Sequence, residues 1–330
     1  YQPTTIRMLV DKTDMILRIN TSRKTLILNL IDPISGAPSV PIKISVFVDR
    51  NLVDIIETLN RSINLSLPVG VLEVYVEGAL DQVKVYHPYN TTRLFLNDTE
   101  LTVYLSRVPM RIRFFVEDQL GTPIDANIRI ISLENSSLLY DLSSAGGVAE
   151  IMVPYGRYLA DVSARYREPV RISIQPPRNV SEVISLTISL PNILTPINLT
   201  LKDQLGTPLK GQFTVEIYVG GKPYLKQIIN KSIVTLYVPA GYNVSLKMSP
   251  LEEISYLYQP LSKDLGFVDK SLNATLVIMR KIYRVSLTIT DDLGKPLVSK
   301  IILTSTENSA YMYDATTDAD GMAVLSIPAG

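Results

Sequence analysis

The residues able to do chemistry are few and scattered. The chain has a single histidine, His87, and no cysteine. That excludes disulfides, thiolate metal sites and cysteine nucleophiles together, and leaves a catalytic triad or a histidine-based metal site only one imidazole to build on. His87 closes a Tyr86-His87-Pro88 segment and reads as a strand-end surface residue. Adjacent carboxylates occur at Glu117-Asp118, Glu252-Glu253 and Asp291-Asp292. Neighbours along a strand point to opposite faces, so these pairs do not flank one scissile bond and are expected to be solvated turns. Asp314, Asp318 and Asp320 before Gly321 contain part of a calcium-loop pattern, without the sixth-position glycine or distal glutamate of an EF-hand. A hairpin turn is the reading, with calcium at Asp318 and Asp320 the lesser alternative. Tyr155, Tyr158, Tyr237 and Tyr242 are of a type that stacks on sugars, and packing with a wet hydroxyl accounts for them as well. The expectation is a non-enzyme, with no catalytic, cofactor-binding or metal residue.

The asparagines carry a stronger signal. Eleven of sixteen stand in Asn-x-Ser/Thr: Asn20, Asn60, Asn64, Asn90, Asn97, Asn135, Asn179, Asn198, Asn230, Asn243 and Asn273. Chance would give about two or three such acceptors in a chain of this composition. They are candidate N-glycosylation sites, and they place the chain outside the cell or on its surface. Lys plus Arg and Asp plus Glu are 32 each, so no net field steers the protein to nucleic acid or an anionic membrane. The longest apolar runs, such as Val183 to Leu190, are of strand length, well short of the roughly 20 residues of a membrane helix.

The elements that would present these residues repeat. A turn recurs as Asp118-Gln-Leu-Gly-Thr-Pro123, Asp203-Gln-Leu-Gly-Thr-Pro208 and Asp291-Asp-Leu-Gly-Lys-Pro296, with a longer relative at Asp32-Pro-Ile-Ser-Gly-Ala-Pro38. Pro-x-Gly recurs at Pro68, Pro154, Pro239 and Pro328. Both landmarks keep a period of about 86 residues. In the turn, aspartate caps its own backbone, glycine takes the left-handed position, and the following proline favours an unpaired or edge place. Positions two, four and six before each aspartate are apolar, as in Leu30, Leu28 and Leu26; so are positions one, three and five before each Pro-x-Gly, as in Leu67, Leu65 and Ile63. Period-two alternation means strands with one face on a core. Asn64, Asn198, Asn243 and Asn273 fall in the opposite, polar phase.

The expected fold is all-β: tandem immunoglobulin-like antiparallel β-sandwiches in an extended array. The expected units are 1–22 (closing strands of a preceding repeat), 23–107, 108–193 and 194–281 (three sandwiches), and 282–330 (opening strands of an incomplete fourth). In the third, strands are expected near 197–202, 211–219, 223–230, 233–238, 242–248, 255–259 and 272–280. Tyr1-Gln-Pro matches Tyr258-Gln-Pro260, with looser versions expected in register at Tyr86-His-Pro88 and Gln175-Pro176.

Tyr283 to Gly330, with its Asp-Leu-Gly-Lys-Pro turn, Thr-Asp-Ala-Asp-Gly hairpin and Leu-Ser-Ile-Pro-Ala-Gly strand end, resembles the carboxypeptidase-regulatory-like and PEGA-like β-sandwich repeats. The first three repeats lack the Asp-x-Asp-Gly hairpin. Many sequons without cysteine are also similar to archaeal surface-layer, stalk or filament glycoproteins. The resemblance implies a spacer, stalk or interaction module without catalytic residues. The leading expectation is therefore a structural element of a cell envelope or extracellular filament. The alternatives are an adhesive or carbohydrate-binding stalk and an accessory region of a larger secreted hydrolase. Partners would be further copies or other envelope proteins, with Met15 to Asn20 able to complete an open sandwich by β-strand addition; a longer array is the preferred explanation of the cut repeats.

Overall fold

The structure, a computed structural model, describes residues 22–80, 83–178 and 182–330. Tyr1-Gln-Pro, the Met15–Asn20 strand, Asn20 and Asn179 lie outside the described residues. The chain divides into two compact units, 1–191 and 192–330.

The first unit holds repeats 1 and 2. Repeat 1 comprises β1 (Arg23–Ile31), β2 (Ile42–Val48), β3 (Asn51–Thr58), β4 (Ser62–Pro68), β5 (Gly70–Leu80), β6 (Val83–Lys84), β7 (Tyr89–Phe95) and β8 (Thr99–Tyr104). One sheet runs β4-β1-β8; the other runs β3-β2-β5, with β6 and β7 both pairing β5. Repeat 2 comprises β9 (Pro109–Asp118), β10 (Asn127–Ser132), β11 (Leu139–Ser143), β12 (Val148–Pro154), β13 (Tyr158–Ser163), β14 (Val170–Ile174) and β15 (Val183–Leu190). Its sheets run β12-β9-β15 and β11-β10-β13-β14. In each repeat the first strand pairs antiparallel with the fourth and parallel with the last. The chain thus closes each sandwich on the strand that opened it.

The second unit holds repeat 3, with β16 (Leu194–Asp203), β17 (Phe213–Val219), β18 (Lys222–Ile229), β19 (Ile233–Pro239), β20 (Tyr242–Pro250), β21 (Leu261–Val268) and β22 (Leu272–Ile278). Its sheets are β19-β16-β22 and β18-β17-β20-β21. Two two-stranded sheets follow, β23 (Ile282–Thr288) with β26 (Met322–Pro328), and β24 (Lys300–Thr304) with β25 (Met312–Thr316). The fold is all-β, built of tandem immunoglobulin-like sandwiches.

Period two explains the cores. Leu26, Leu28 and Leu30 of β1, Ile112, Phe114 and Val116 of β9, and Ile197, Leu199 and Leu201 of β16 are all buried. Their counterparts Val285, Leu287 and Ile289 are only half-buried, because β23 and β26 face a sheet of two strands rather than four. The turn glycines Gly36, Gly121, Gly206 and Gly294 have φ of 77°, 70°, 78° and 79°, the left-handed region that glycine enters without a Cβ penalty.

Two local expectations are corrected. Residues 255–259 are not a strand: Glu252–Ile254 form a 3-10 turn, Tyr258 makes a single bridge to Arg280, and the strand is β21, Leu261–Val268. The register partner of Tyr86-His87-Pro88 in repeat 2 is Arg167-Glu168-Pro169, not Gln175-Pro176. The Glu168 amide donates to Pro191 O as those of His87 and Gln259 donate to Ser106 O and Met279 O.

Candidate functional site

Asp118, expected to sit in a solvated turn, is instead buried, as are the turn aspartates Asp32 and Asp203, each at most 1% exposed. Each caps its turn as the sequence implies. One carboxylate oxygen accepts the Ile34 amide in the first (2.9 Å), those of Leu120 and Thr122 in the second (2.8 and 3.0 Å), and those of Leu205 and Thr207 in the third (both 2.9 Å). The other oxygen is turned inward, where a charge needs a counter-charge.

In the first unit Arg107 supplies it. This arginine stands between β8 and β9, and its Nε and Nη2 lie 2.8 and 2.7 Å from Asp32 Oδ2. Tyr86 donates its hydroxyl to the same oxygen at 2.5 Å and accepts the Ser39 amide at 3.0 Å. Gly78 makes room for that ring, since a Cβ there would overlap Tyr86 and Ile42. The guanidinium then reaches into repeat 2: Nη1 donates to Tyr155 O at 2.8 Å and Nη2 pairs with Glu134. Glu134 is held by a tight loop in which Ser132 Oγ accepts the Glu134 and Asn135 amides and Asn135 Oδ1 accepts that of Ser137. Tyr155, of the Pro-Tyr-Gly landmark, packs into the core of repeat 1.

The second unit builds the same latch. Arg280 Nε and Nη2 lie 2.8 and 2.6 Å from Asp203 Oδ2, Nη1 donates to Ala329 O at 2.8 Å, and Nη2 pairs with Glu307. Ser305 and Asn308 shape the Glu307 loop as Ser132 and Asn135 shape its counterpart. Asn308 Nδ2 and the Tyr311 hydroxyl add bonds to Leu205 O and Gln204 O.

Electrostatics follow from burial and pairing. Burial opposes ionisation of Asp32, but hydrogen bonds from Arg107 and Tyr86 outweigh it and hold the carboxyl below the ordinary range. For Asp203, burial is likewise outweighed by Thr207 and Arg280. Arg107 and Arg280 are pushed up by their carboxylate partners against the effect of burial. Tyr86 is raised, by burial first and by Asp32 second. Each guanidinium thus ties the turn carboxylate of one repeat to a loop carboxylate and a backbone carbonyl of the next.

The sequence readings missed this site. Its signal was recurrence: Arg107 and Arg280 each stand eleven residues before a turn aspartate, and Glu134-Asn135-Ser136 returns as Glu307-Asn308-Ser309. The other candidates are not brought together. His87 is exposed. Asp318 caps the turn before β26, its carboxylate accepting the Asp320 and Met322 amides. Tyr155 and Tyr158 are buried, Tyr242 is half-buried, and Tyr237 is exposed on β19. Of the described sequons, Asn60, Asn64, Asn90, Asn97, Asn230, Asn243 and Asn273 are exposed; Asn135 and Asn198 are half-buried, and Asn198 Nδ2 donates to Asn273 Oδ1 at 2.8 Å. Among the described residues no three metal-ligating side chains gather, and no helix is long and apolar enough to cross a membrane.

Fold and latch define an all-β tandem-sandwich protein. No protein-family model matches the chain, and no curated protein sequence matches it. Among solved structures it is similar to the Bacillus anthracis TIE protein, at 14% identity and a TM-score of 0.42 over 78% of this chain and 51% of that one. It is also similar to BcpA, the major pilin subunit of Bacillus cereus (12%, TM-score 0.29, 78% and 100%). Two B repeat units of the collagen-binding protein of Staphylococcus aureus share 16% identity at a TM-score of 0.23, over 78% and 74%. The chain spans about half the length of the B. anthracis protein.

Proposed function

We propose that the protein is a non-enzymatic structural component of a cell surface, part of an envelope layer, stalk or extracellular filament, and that it is N-glycosylated. The observation that carries this reading is the recurring latch. One buried arginine joins the turn of one sandwich to a loop and a carbonyl of the next, in both compact units. A guanidinium with fixed partners on both sides resists bending and sliding at the joint, which is what a load-carrying spacer requires. The exposure of seven described sequons supports the glycan part. Immunogold labelling of whole source cells with antibody to this chain tests the surface role: label along a layer or fibre is expected, and label confined to the interior overturns it. The intact mass before and after chemical deglycosylation tests the modification, an unchanged mass sinking it.

A further inference from the structure

The outer faces of repeats 2 and 3 carry charges in a pattern absent from the other repeats. On the four-stranded sheet of repeat 2, Arg129 of β10 is in register with Asp141 of β11 and Asp161 of β13, and Asp161 is in register with Arg171 of β14. The row reads minus, plus, minus, plus across four strands. Arg129 meets Asp141 at 2.8 Å and Arg171 meets Asp161 at 2.5 Å.

Repeat 3 carries the inverse row at the same level. Glu216 of β17 is in register with Lys226 of β18 and Lys247 of β20, so the row reads plus, minus, plus. Lys226 meets Glu216 at 2.7 Å, and Lys247 lies over the Tyr218 ring, 5.1 Å from its centroid. The corresponding row of repeat 1 is Ile55, Ser45 and Tyr75, and that of the fourth begins at Ile302 and Asp314.

We infer that these two faces are complementary docking surfaces through which the protein binds a second copy of itself side by side, repeat 2 of one molecule against repeat 3 of another. Strands in both sheets are spaced about 4.8 Å apart, so the three charges of the repeat 3 row meet three of the four in the repeat 2 row. Arg129 then meets Glu216, and the flanking aspartates meet Lys226 and Lys247. A three-charge alternation reads the same in both directions, so the match survives either lateral sense of approach. Apolar side chains flank both rows, Ile131 and Leu139 on one face and Tyr218 and Tyr224 on the other. Asn243 shares the Lys247 face four residues away, about 13 Å along the strand, so a glycan there would border the row.

The inference deepens the structural reading by naming a partner, and its test reads association in solution, so it can fail while the surface role stands. Each face covers roughly 300 Å², well below the ~800 Å² per partner of a standard interface. A single contact is therefore weak and salt-sensitive, and gains strength where several align along an array.

The experiment is sedimentation equilibrium of the full chain at low and high salt. Expected is an average mass that rises with concentration at low salt and returns to that of the monomer at high salt. One variant neutralises the repeat 2 row (Asp141→Asn, Arg129→Gln, Asp161→Asn, Arg171→Gln), and a second neutralises the repeat 3 row (Lys226→Gln, Glu216→Gln, Lys247→Gln). A neutral row matches its partner in no register, so each variant alone should associate at least tenfold more weakly than the parent. An equimolar mixture should associate again, because the first variant keeps its repeat 3 row and the second keeps its repeat 2 row. A parent without concentration dependence, or either variant associating like the parent, overturns the proposal; should one variant misfold, the parent's salt response and the other variant still decide.

Discussion

Repeats 1 and 2 neutralise the same buried carboxylate from different places. Asp32 and Asp118 both cap a turn, and both meet an arginine at the inner oxygen. In repeat 1 that arginine is Arg107, on the segment leading into repeat 2, and it continues to Glu134 and Tyr155 O. In repeat 2 it is Arg167, which occupies the place of Tyr86 and donates to Asp118 at 3.1 Å. Asn192 stands where Arg107 would be: the Ile193 carbonyl that follows accepts the Ala240 amide just as Val108 O accepts Tyr155 and Lys281 O accepts Ala329. The difference separates two roles. Every complete sandwich needs a cation for its turn aspartate, whereas Arg107 and Arg280 also bind the repeat that follows. Arg107 and Arg280 thus stand one repeat to either side of Asn192.

The largest expected effect is that of Arg107→Ala, which leaves Asp32 buried and unpaired and removes both cross-repeat bonds. Truncating one partner of such a pair costs about 3–5 kcal/mol. Urea unfolding of the full chain should show the loss in its first transition, and a loss under 1 kcal/mol would break the assignment of Arg107 as the principal tie. The same pair sets a pH response. Asp32 and Asp203 have folded pKa values below their ordinary ones, so their contribution is complete above the unfolded value of about 3.9 and is lost as pH falls through the lower folded value. Thermal stability should fall steeply below about pH 4, and Arg107→Ala should flatten that limb; an unchanged acid limb would detach the latch from the acid response.

Arg280→Ala should be milder, at about 2–3 kcal/mol. Asp203 keeps the Thr207 hydroxyl and two turn amides, whereas Asp32 keeps one amide and Tyr86. Equal losses in the two units would mean that these residual donors do not matter. Tyr86→Phe sharpens the point from the other side. It removes one donor to Asp32 and the acceptor for the Ser39 amide while keeping the ring beneath Gly78, for a loss of about 1–2 kcal/mol by the same denaturation measurement. A neutral outcome would show that Arg107 alone satisfies the carboxylate.

The contrast between repeats also shows what a sequence displays. Alternation in β1, β9 and β16 and the Asp-x-Leu-Gly turns are local, so strands, period and sandwich class could be read residue by residue. The latch is not local. Arg107 and Asp32 are 75 residues apart, and an aspartate that caps a solvated turn has the same neighbours in sequence as one whose second oxygen faces a core. Arg167 was harder still, because Arg-Glu-Pro does not resemble Tyr-His-Pro until backbone bonds align them. In repeat 3, Ser255-Tyr-Leu-Tyr258 alternates like a strand, but its backbone is spent on the 3-10 turn and on one bridge to Arg280. Lys263, Asp264 and Gly266, which look like loop, form β21 with a register shift at Val244/Ser245.

The smallest effect is the one that isolates the joint itself. Glu134→Gln keeps size and an acceptor oxygen, leaves the Asp32–Arg107 pair intact, and weakens only the arm that crosses into repeat 2. Glu134 is 18% exposed, so water screens part of its attraction, and the expected loss is about 0.5–1 kcal/mol. Global unfolding will barely register it. Hydrogen exchange should, because the Leu133 and Leu138 amides bond to Arg157 O and Asn135 O within the Glu134 loop and open by local motion rather than by unfolding of the sandwich. Faster exchange there, with unchanged protection in β1 and β9, would separate the cross-repeat arm from the intrarepeat one. If Glu134→Gln instead cost as much as Arg107→Ala, the order would reverse: the tie between sandwiches would be the dominant contribution of Arg107, and neutralising Asp32 the lesser one.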